Sequence, residues 1–250
     1  MDDKAANIVF DQWLTEFFKL DVYRIMVNDN FIKLFNKKNR KASDVCNEFI
    51  ALQNKPVFMY SKVHTMYFGG IKFLEDFGFN LIDTNVTFEK PISIRANFIG
   101  NCSLRFATPD DQNHVVRLAS KSFIFTRFHM DPAISNKTAN RVKGEWFNNY
   151  FAGNRGDQLV VALIDGKIVG TLQIIYGVDK TLIIDQIATN KEYRRMGIAK
   201  DMIAFAENNC RGFNRIRVGT QIANIPSINL YEGIGFRISD AQYVFHYHQS

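Results

Sequence analysis

Residues 182–199 read LIIDQIATNKEYRRMGIA, and residues 224–236 read NIPSINLYEGIGF. The first stretch is a β-branched apolar run, then a polar turn, then the opening of a helix at Gly197. A strand that feeds a glycine turn and a helix leaves a row of N–H groups without intrahelical partners at the positive end of the helix dipole. That arrangement is a seat for a phosphate. Gly197 carries no Cβ to hold the backbone away from a ligand. The second stretch puts Tyr231 one turn into a short helix, where its hydroxyl can meet the reactive end of the same ligand.

Working outward, Ser103 to Asp111 has the look of a domain start. A short strand precedes Thr108 as N-cap, Pro109 at the first helical position and Asp111 three residues after the cap. Val115, Leu118 and Ala119 continue at helical spacing. A second helix is expected around Lys143 to Phe151, then strands at 159–164 and 168–176 joined by the turn Asp165-Gly166. A strand at 181–189, a helix at 197–209, a strand at 215–221, a helix at 226–232 and strands from Phe236 onward complete the half. The spacing divides the chain into domains 1–100 and 101–250. In the first, helices are expected at 11–18, 43–52 and 71–77, and strands at 57–60 and 81–89.

One pattern links the two halves. Phe73 to Phe79 (FLEDFGF) matches Leu230 to Phe236 (LYEGIGF) in residue type, and Asp83 and Phe88 follow at the same offsets as Asp240 and Phe245. This reads as a duplicated half-unit. Leu74 stands where Tyr231 stands, and no glycine turn precedes it.

Composition narrows the function. The 250 residues are 46% hydrophobic with 23 Phe, enough for an aromatic-rich core. No apolar run approaches the roughly 18 residues of a membrane span, and the polar start at Met1 to Lys4 has no apolar leader behind it; a cytoplasmic protein with no membrane partner is expected. Cys46, Cys102 and Cys210 show no metal or disulfide spacing and are expected as buried free thiols. His246 and His248 alternate on a strand and are expected on a surface or groove; two ligands make a poor metal site, and no metal is expected. Net charge is +6, with basic residues at Lys37 to Lys41, at Arg194-Arg195 and from Arg211 to Arg217. No stacking aromatics interleave with the first of these runs, which argues against nucleic acid, and an anionic small molecule accounts for the positive balance equally well.

The stretch Arg194 to Ala199 resembles the acyl-CoA signature of the GNAT (GCN5-related) N-acyltransferase superfamily, and Asn224 and Tyr231 follow at that family's spacing. The resemblance covers roughly 103–250. It implies an α/β (α+β) GNAT fold, a mixed and mostly antiparallel sheet flanked by helices, with the first domain a smaller degenerate GNAT-like copy. It implies acetyl-CoA or another acyl-CoA as donor. Its diphosphate would lie on the helix start, within Arg194, Arg195, Met196, Gly197, Ile198, Ala199 and Lys200. Ile187, Ala188 and Thr189 would pair with the pantetheine and hold the thioester oxygen, and Asn224 and Asn229 would contact the cofactor arm. Tyr231 would face the sulfur as it leaves. The general base is open: Ile183 stands where histone-type members carry glutamate, Asp185 is the acid on the strand, and a water chain or direct attack by neutral amine are the alternatives.

The stretch Ser122 to Ile134, with Lys143 to Asn148 and Asn154 to Asp157, resembles a bacterial subgroup acting on nucleotide-linked amino sugars, of the dTDP-fucosamine (dTDP-4-amino-4,6-dideoxygalactose) acetyltransferase type. That implies transfer of an acetyl, longer or hydroxyacyl group such as 3-hydroxybutanoyl to a dTDP-amino-deoxy sugar for surface polysaccharide such as O-antigen. Arg127, His129, Lys143 and Arg155 are the expected donors to the diphosphate, and Phe125 and Trp146 line the expected groove. A homodimer is the family-level expectation. The alternatives are an acyltransferase of a peptide or other amine, and a silent CoA- or nucleotide-binding module.

Overall fold

The computed structural model describes residues 6–28, 32–33, 40–92 and 96–249. Residues 37–39 of the basic run Lys37 to Lys41 lie outside them. The chain forms two compact units, 1–85 with 240–250, and 86–239. The division therefore falls inside a strand and not at residue 100, and the last strand returns to the first unit. Long strands carry the chain from one core to the other, and a composition shift does not mark such a crossing.

In the first unit β1 (Ala6–Phe10), α1 (Gln12–Phe18) and β2 (Asp21–Val27) are followed by α2 (Arg40–Gln53), β3 (Val57–His64), α3 (Phe68–Asp76) and β4 (Asn80–Pro91). Asp11 caps α1, its Oδ1 accepting from the Leu14 N–H at 3.0 Å. β1 and β2 are antiparallel and β2 and β3 parallel; β3 pairs antiparallel with β10 (Arg237–Gln249). Phe49, Phe73, Phe79 and Phe245 fill the core between these elements. β1 and β2 were not expected from the sequence; Val22 and Ile25 are buried but not at strict alternation. His246 is buried against Phe58 and not on a surface, since the middle of β10 is covered on both faces, while His248 is exposed.

The second unit begins with residues 86–91 of β4 and continues with β5 (Ser103–Phe106), α4 (Gln112–Ser122), α5 (Asn136–Phe151), β6 (Gln158–Ile164), β7 (Lys167–Gly177) and β8 (Thr181–Thr189). After these come α6 (Ile198–Asn209), β9 (Arg215–Gln221) and α7 (Ile225–Gly233). Strands β5 to β8 pair antiparallel in sequence order, β8 and β9 are parallel, and β4 borders β9. The capping box at Thr108 and Asp111 starts a 3₁₀ turn that leads into α4, and Arg105 grips both Asp111 oxygens. α5 starts earlier than expected because Ser135 caps it through the Thr138 N–H. α6 packs on the face of Leu172, Ile174, Leu182 and Ile184; α4 and α5 cover the other face through Val115, Ala119, Phe147, Leu159 and Val161. Of the thiols, Cys210 is buried and Cys46 and Cys102 are half-buried, because neither faces fully into a core. Among the described residues no helix is long and apolar enough to cross a membrane.

Candidate active site

Two local features of β8 shape the site. It pairs with β9 only from Thr181 to Ile184, so from Asp185 onward the edge of β8 that faced β9 is open. Against β7, Gln173 pairs with Gln186 and Ile174 with Ile184, which leaves Asp185 as the extra residue of a bulge. The bulge breaks the alternation expected from the sequence. Ile184 and Ile187 belong to the α6 face, whereas Gln186 turns to the α5 face beside Gln173.

The turn after β8 ends in two residues with left-handed backbones, Arg195 at φ 68° and Gly197 at φ 82°. Among the described residues, none of the N–H groups from Arg195 to Lys200 meets an acceptor; the first bond of the helix runs from the Asp201 N–H to the Gly197 carbonyl at 3.0 Å. That row, with the helix dipole, favours an anion by about 1 kcal/mol. Gly197 is required for its positive φ and for a neighbour: a Cβ there would lie 2.3 Å from Ile99 Cδ1. A neighbour that comes close at Gly197 is thus the protein's own chain. Met196 is exposed and Ile198 buried, with Ala199 and Lys200 between these extremes. Arg194 is committed elsewhere. Its guanidinium donates to the Thr189 carbonyl at 3.3 Å and the Ser122 carbonyl at 2.8 Å, fixing the turn to the end of α4.

Tyr231 stands on α7 with 2% of its surface exposed, between the rings of Phe88 and Phe236 at 5.8 and 5.6 Å. Burial pushes its hydroxyl well above the ordinary tyrosine range, so it is a protonated donor at neutral pH. Asn224 is the N-cap of α7, accepting from the Ser227 N–H at 3.4 Å and donating to Thr220 Oγ1 at 3.1 Å. Asn229 is exposed on the same helix.

On the opposite face of β8 a polar cluster is assembled from four elements. The Arg155 guanidinium holds both oxygens of Asp185, at 2.8 and 2.6 Å. Lys143, 9% exposed, donates to Gln186 Oε1 at 3.0 Å and lies over the rings of Phe123 and Trp146, at 4.8 and 4.6 Å. Arg155 lies over the same Trp146 ring at 5.3 Å. Gln173, fully buried, donates to the Arg155 carbonyl at 3.3 Å and to Asp185 Oδ2 at 3.4 Å. Lys143, Trp146, Arg155 and Asp185 are therefore brought together. Asp185 is not a free base: its oxygens are engaged, and taking a proton would break the pair with Arg155. The sequence reasoning missed Gln173 and Gln186. Their signal was present, a glutamine inside each of two apolar strands, because a buried amide needs a polar partner.

The other expected acceptor residues are arranged differently. His129 Nδ1 meets Thr126 Oγ1 at 2.7 Å and Nε2 meets Asn140 Oδ1 at 3.0 Å, so both ring nitrogens are used within the fold. Burial, with the charge of Lys143 adding to it, holds His129 below the usual histidine range and neutral. Arg127 lies over the Phe128 ring at 4.5 Å. Phe125 is half-buried.

Residues 124–236 match the acetyltransferase (GNAT) family. Over 140 residues, 55% of this chain, the sequence is 30% identical to the spore coat polysaccharide biosynthesis protein SpsD of Bacillus subtilis, and the chain spans about half (48%) of that relative's length. Among solved structures, a GCN5-related N-acetyltransferase from Sphaerobacter thermophilus superposes with a TM-score of 0.60 at 13% identity, covering 97% of this chain and 76% of that one. A tandem GNAT protein from the clavulanic acid biosynthesis pathway gives 0.61 at 12% identity, covering 91% and 75%. The fold is the GNAT fold, a mixed sheet flanked by helices.

Proposed function

We propose that the protein is an acyl-CoA-dependent N-acyltransferase whose acceptor is the amine of a nucleotide-linked amino-deoxy sugar used in polysaccharide synthesis. The observation that carries the donor half is the run of unpartnered N–H groups from Arg195 to Lys200 beside the opened edge of β8. The diphosphate of CoA binds that run, the pantetheine lies along Ile187 to Thr189, and one N–H of that edge holds the thioester oxygen as charge develops on it. The Thr189 carbonyl already accepts from Arg194, so the pairing falls on the other groups of the strand.

The neutral amine attacks the thioester carbon, the C–S bond breaks, and the electron pair leaves on sulfur. Tyr231 donates a hydrogen bond to that sulfur. A thiol pKa of about 8.5 lies below that of a tyrosine, about 10, and burial widens the gap, so full proton transfer is uphill and stabilisation of the thiolate is the role. Asp185 does not take the amine proton; it positions Arg155. The proton leaves to water.

The acceptor half rests on the cluster of Lys143, Arg155 and Trp146. Two cations with one carboxylate leave a net positive face, which suits an anionic acceptor and repels a polycationic one. The likeness to SpsD, a spore coat polysaccharide biosynthesis protein, supports a sugar. The first unit is a degenerate copy of the same fold. The test is a screen of amines with acetyl-CoA and a thiol reagent. Turnover of dTDP-amino sugars with little on peptides or aminoglycosides is expected; turnover of peptides but not sugars sinks the acceptor, and no thermal stabilisation at millimolar CoA sinks the donor as well.

A further inference from the structure

The segment 96–101, which joins β4 to β5, is laced to α6 at both ends. At the far end the Asn208 amide brackets Ala96, accepting from its N–H at 3.0 Å and donating to its carbonyl at 3.0 Å. At the near end the fully buried Asp201 takes the N–H of Ile99 at 2.6 Å and of Gly100 at 3.0 Å, one on each carboxylate oxygen. Ile99 then lies where a Gly197 Cβ would point, and Asn101 Nδ2 donates to the Met196 carbonyl at 2.9 Å. Met196 and Gly197 are thus held from outside the turn, next to the left-handed Arg195.

We infer that 96–101 is a brace for the anion-binding turn, with Asp201 and Asn101 as positioning residues for the donor's diphosphate. This rests on the reading of Arg195 to Lys200 as the diphosphate seat. A row of N–H groups binds an anion well only if it is already aligned, because ordering a turn on binding costs affinity. Arg195 and Gly197 are left-handed and, among the described residues, none of the N–H groups from Arg195 to Lys200 meets an acceptor, so their alignment comes from Arg194 on one side and from 96–101 on the other. Asp201 is the natural anchor. It sits in the first turn of α6, and its charge, which would oppose a nearby phosphate, is taken up by two backbone donors.

The experiment uses the full chain and two ligands, CoA and S-acetylpantetheine, which lacks the diphosphate. Asp201→Asn puts an amide NH₂ against a backbone N–H, and Asn101→Ala, at an exposed site, removes the Met196 tie alone. The expected result is a CoA Kd about ten-fold weaker for Asp201→Asn and about three-fold weaker for Asn101→Ala, with the S-acetylpantetheine Kd unchanged by NMR titration. The melting temperature of Asn101→Ala stays at the wild-type value. If Asn101→Ala weakens both ligands equally, or neither, the brace has no diphosphate role and the inference falls. If the wild-type protein itself binds S-acetylpantetheine as tightly as CoA, the diphosphate seat falls, and the brace with it.

Discussion

The end of α7 and the end of α3 are the same structure with different chemistry. The Phe236 N–H bonds to the Tyr231 carbonyl at 3.0 Å, and the Phe79 N–H to the Leu74 carbonyl at 2.9 Å. Gly235 and Gly78 bond to Glu232 and Glu75 at 3.1 and 2.9 Å, both with left-handed backbones. Each helix follows a strand of a parallel pair, β9 with β8 and β3 with β2. The backbone of the motif is therefore retained where its hydroxyl is gone. The sequence from Asn28 to Arg40, which leads into α2, also has no glycine to match Gly197. Retention of the turn follows from packing: Leu74 and Tyr231 are both core residues, and a helix must still stop and hand on to a strand. The next strands differ in membership. Phe88, which follows Leu74 in the repeat, is buried in the second unit with Tyr231; Phe245, which follows Tyr231, is buried in the first unit with Leu74.

That exchange gives the largest effects. Phe88→Ala and Phe245→Ala are each expected to cost about 3–5 kcal/mol. By residue-resolved hydrogen exchange, the first should loosen 86–239 and the second 1–85. The reverse pattern would break the assignment of the strands. Truncation should obey the same division: removing residues 1–100 takes Val86 and Phe88 out of the second core, so an insoluble remainder is expected, and a soluble, fully active one would contradict it.

The chemical difference is next in size. Tyr231→Phe is expected to lower kcat about 10- to 100-fold, roughly 1.4–2.7 kcal/mol, and to change the acyl-CoA KM by less than about three-fold. Leu74→Met, which conserves volume in the repeat, should cost less than about 1.5 kcal/mol and leave kcat alone. Steady-state kinetics of the pair decide whether the hydroxyl or merely the packing matters; near-normal turnover of Tyr231→Phe removes the sulfur contact. Gly197→Ala tests the other missing feature. Its φ of 82° and the contact with Ile99 should raise the CoA Kd about ten-fold by calorimetry, at little change in kcat.

The C-terminal half was legible because its signals are local. The cap at Thr108, the Asp165-Gly166 turn and the glycine of Gly197 each declare themselves within a few residues. The fold class followed from the family resemblance that Arg194 to Ala199, Asn224 and Tyr231 carry, and the repeat from matching residue types at matching offsets. What was not legible depends on pairing across distance. The bulge at Asp185 exists only in the register of β7 with β8, and it decides that Gln186 and not Ile184 joins Lys143. The use of Arg194 on two carbonyls and of His129 by Thr126 and Asn140 are likewise tertiary facts. A carboxylate on a strand suggested a base; only the structure pairs it with Arg155.

An effect that depends on pH again separates the repeat's two members. Asp240 is half-exposed, and its Oδ1 lies 3.1 Å from His64 Nε2. Asp83 at the same offset is 7% exposed; its Oδ1 accepts the Thr84 N–H at 2.7 Å, while Oδ2 has no hydrogen-bond partner among the described residues. Burial pushes Asp83 up to about 6, against the pull of the Thr84 N–H and then of Lys62. An acid whose folded pKa lies above its unfolded value of about 3.9 binds its proton more tightly when folded, so its contribution is full below about pH 4 and is lost as pH rises to about 6. The loss is about 2–3 kcal/mol, and Asp83→Asn should remove it. Urea denaturation of both proteins should therefore agree near pH 4 and diverge in favour of Asp83→Asn near pH 7.5. Equal pH profiles for wild type and Asp83→Asn would mean that Asp83 is ionised without cost, and that the two members of the repeat differ at Tyr231 and not in how they bury charge.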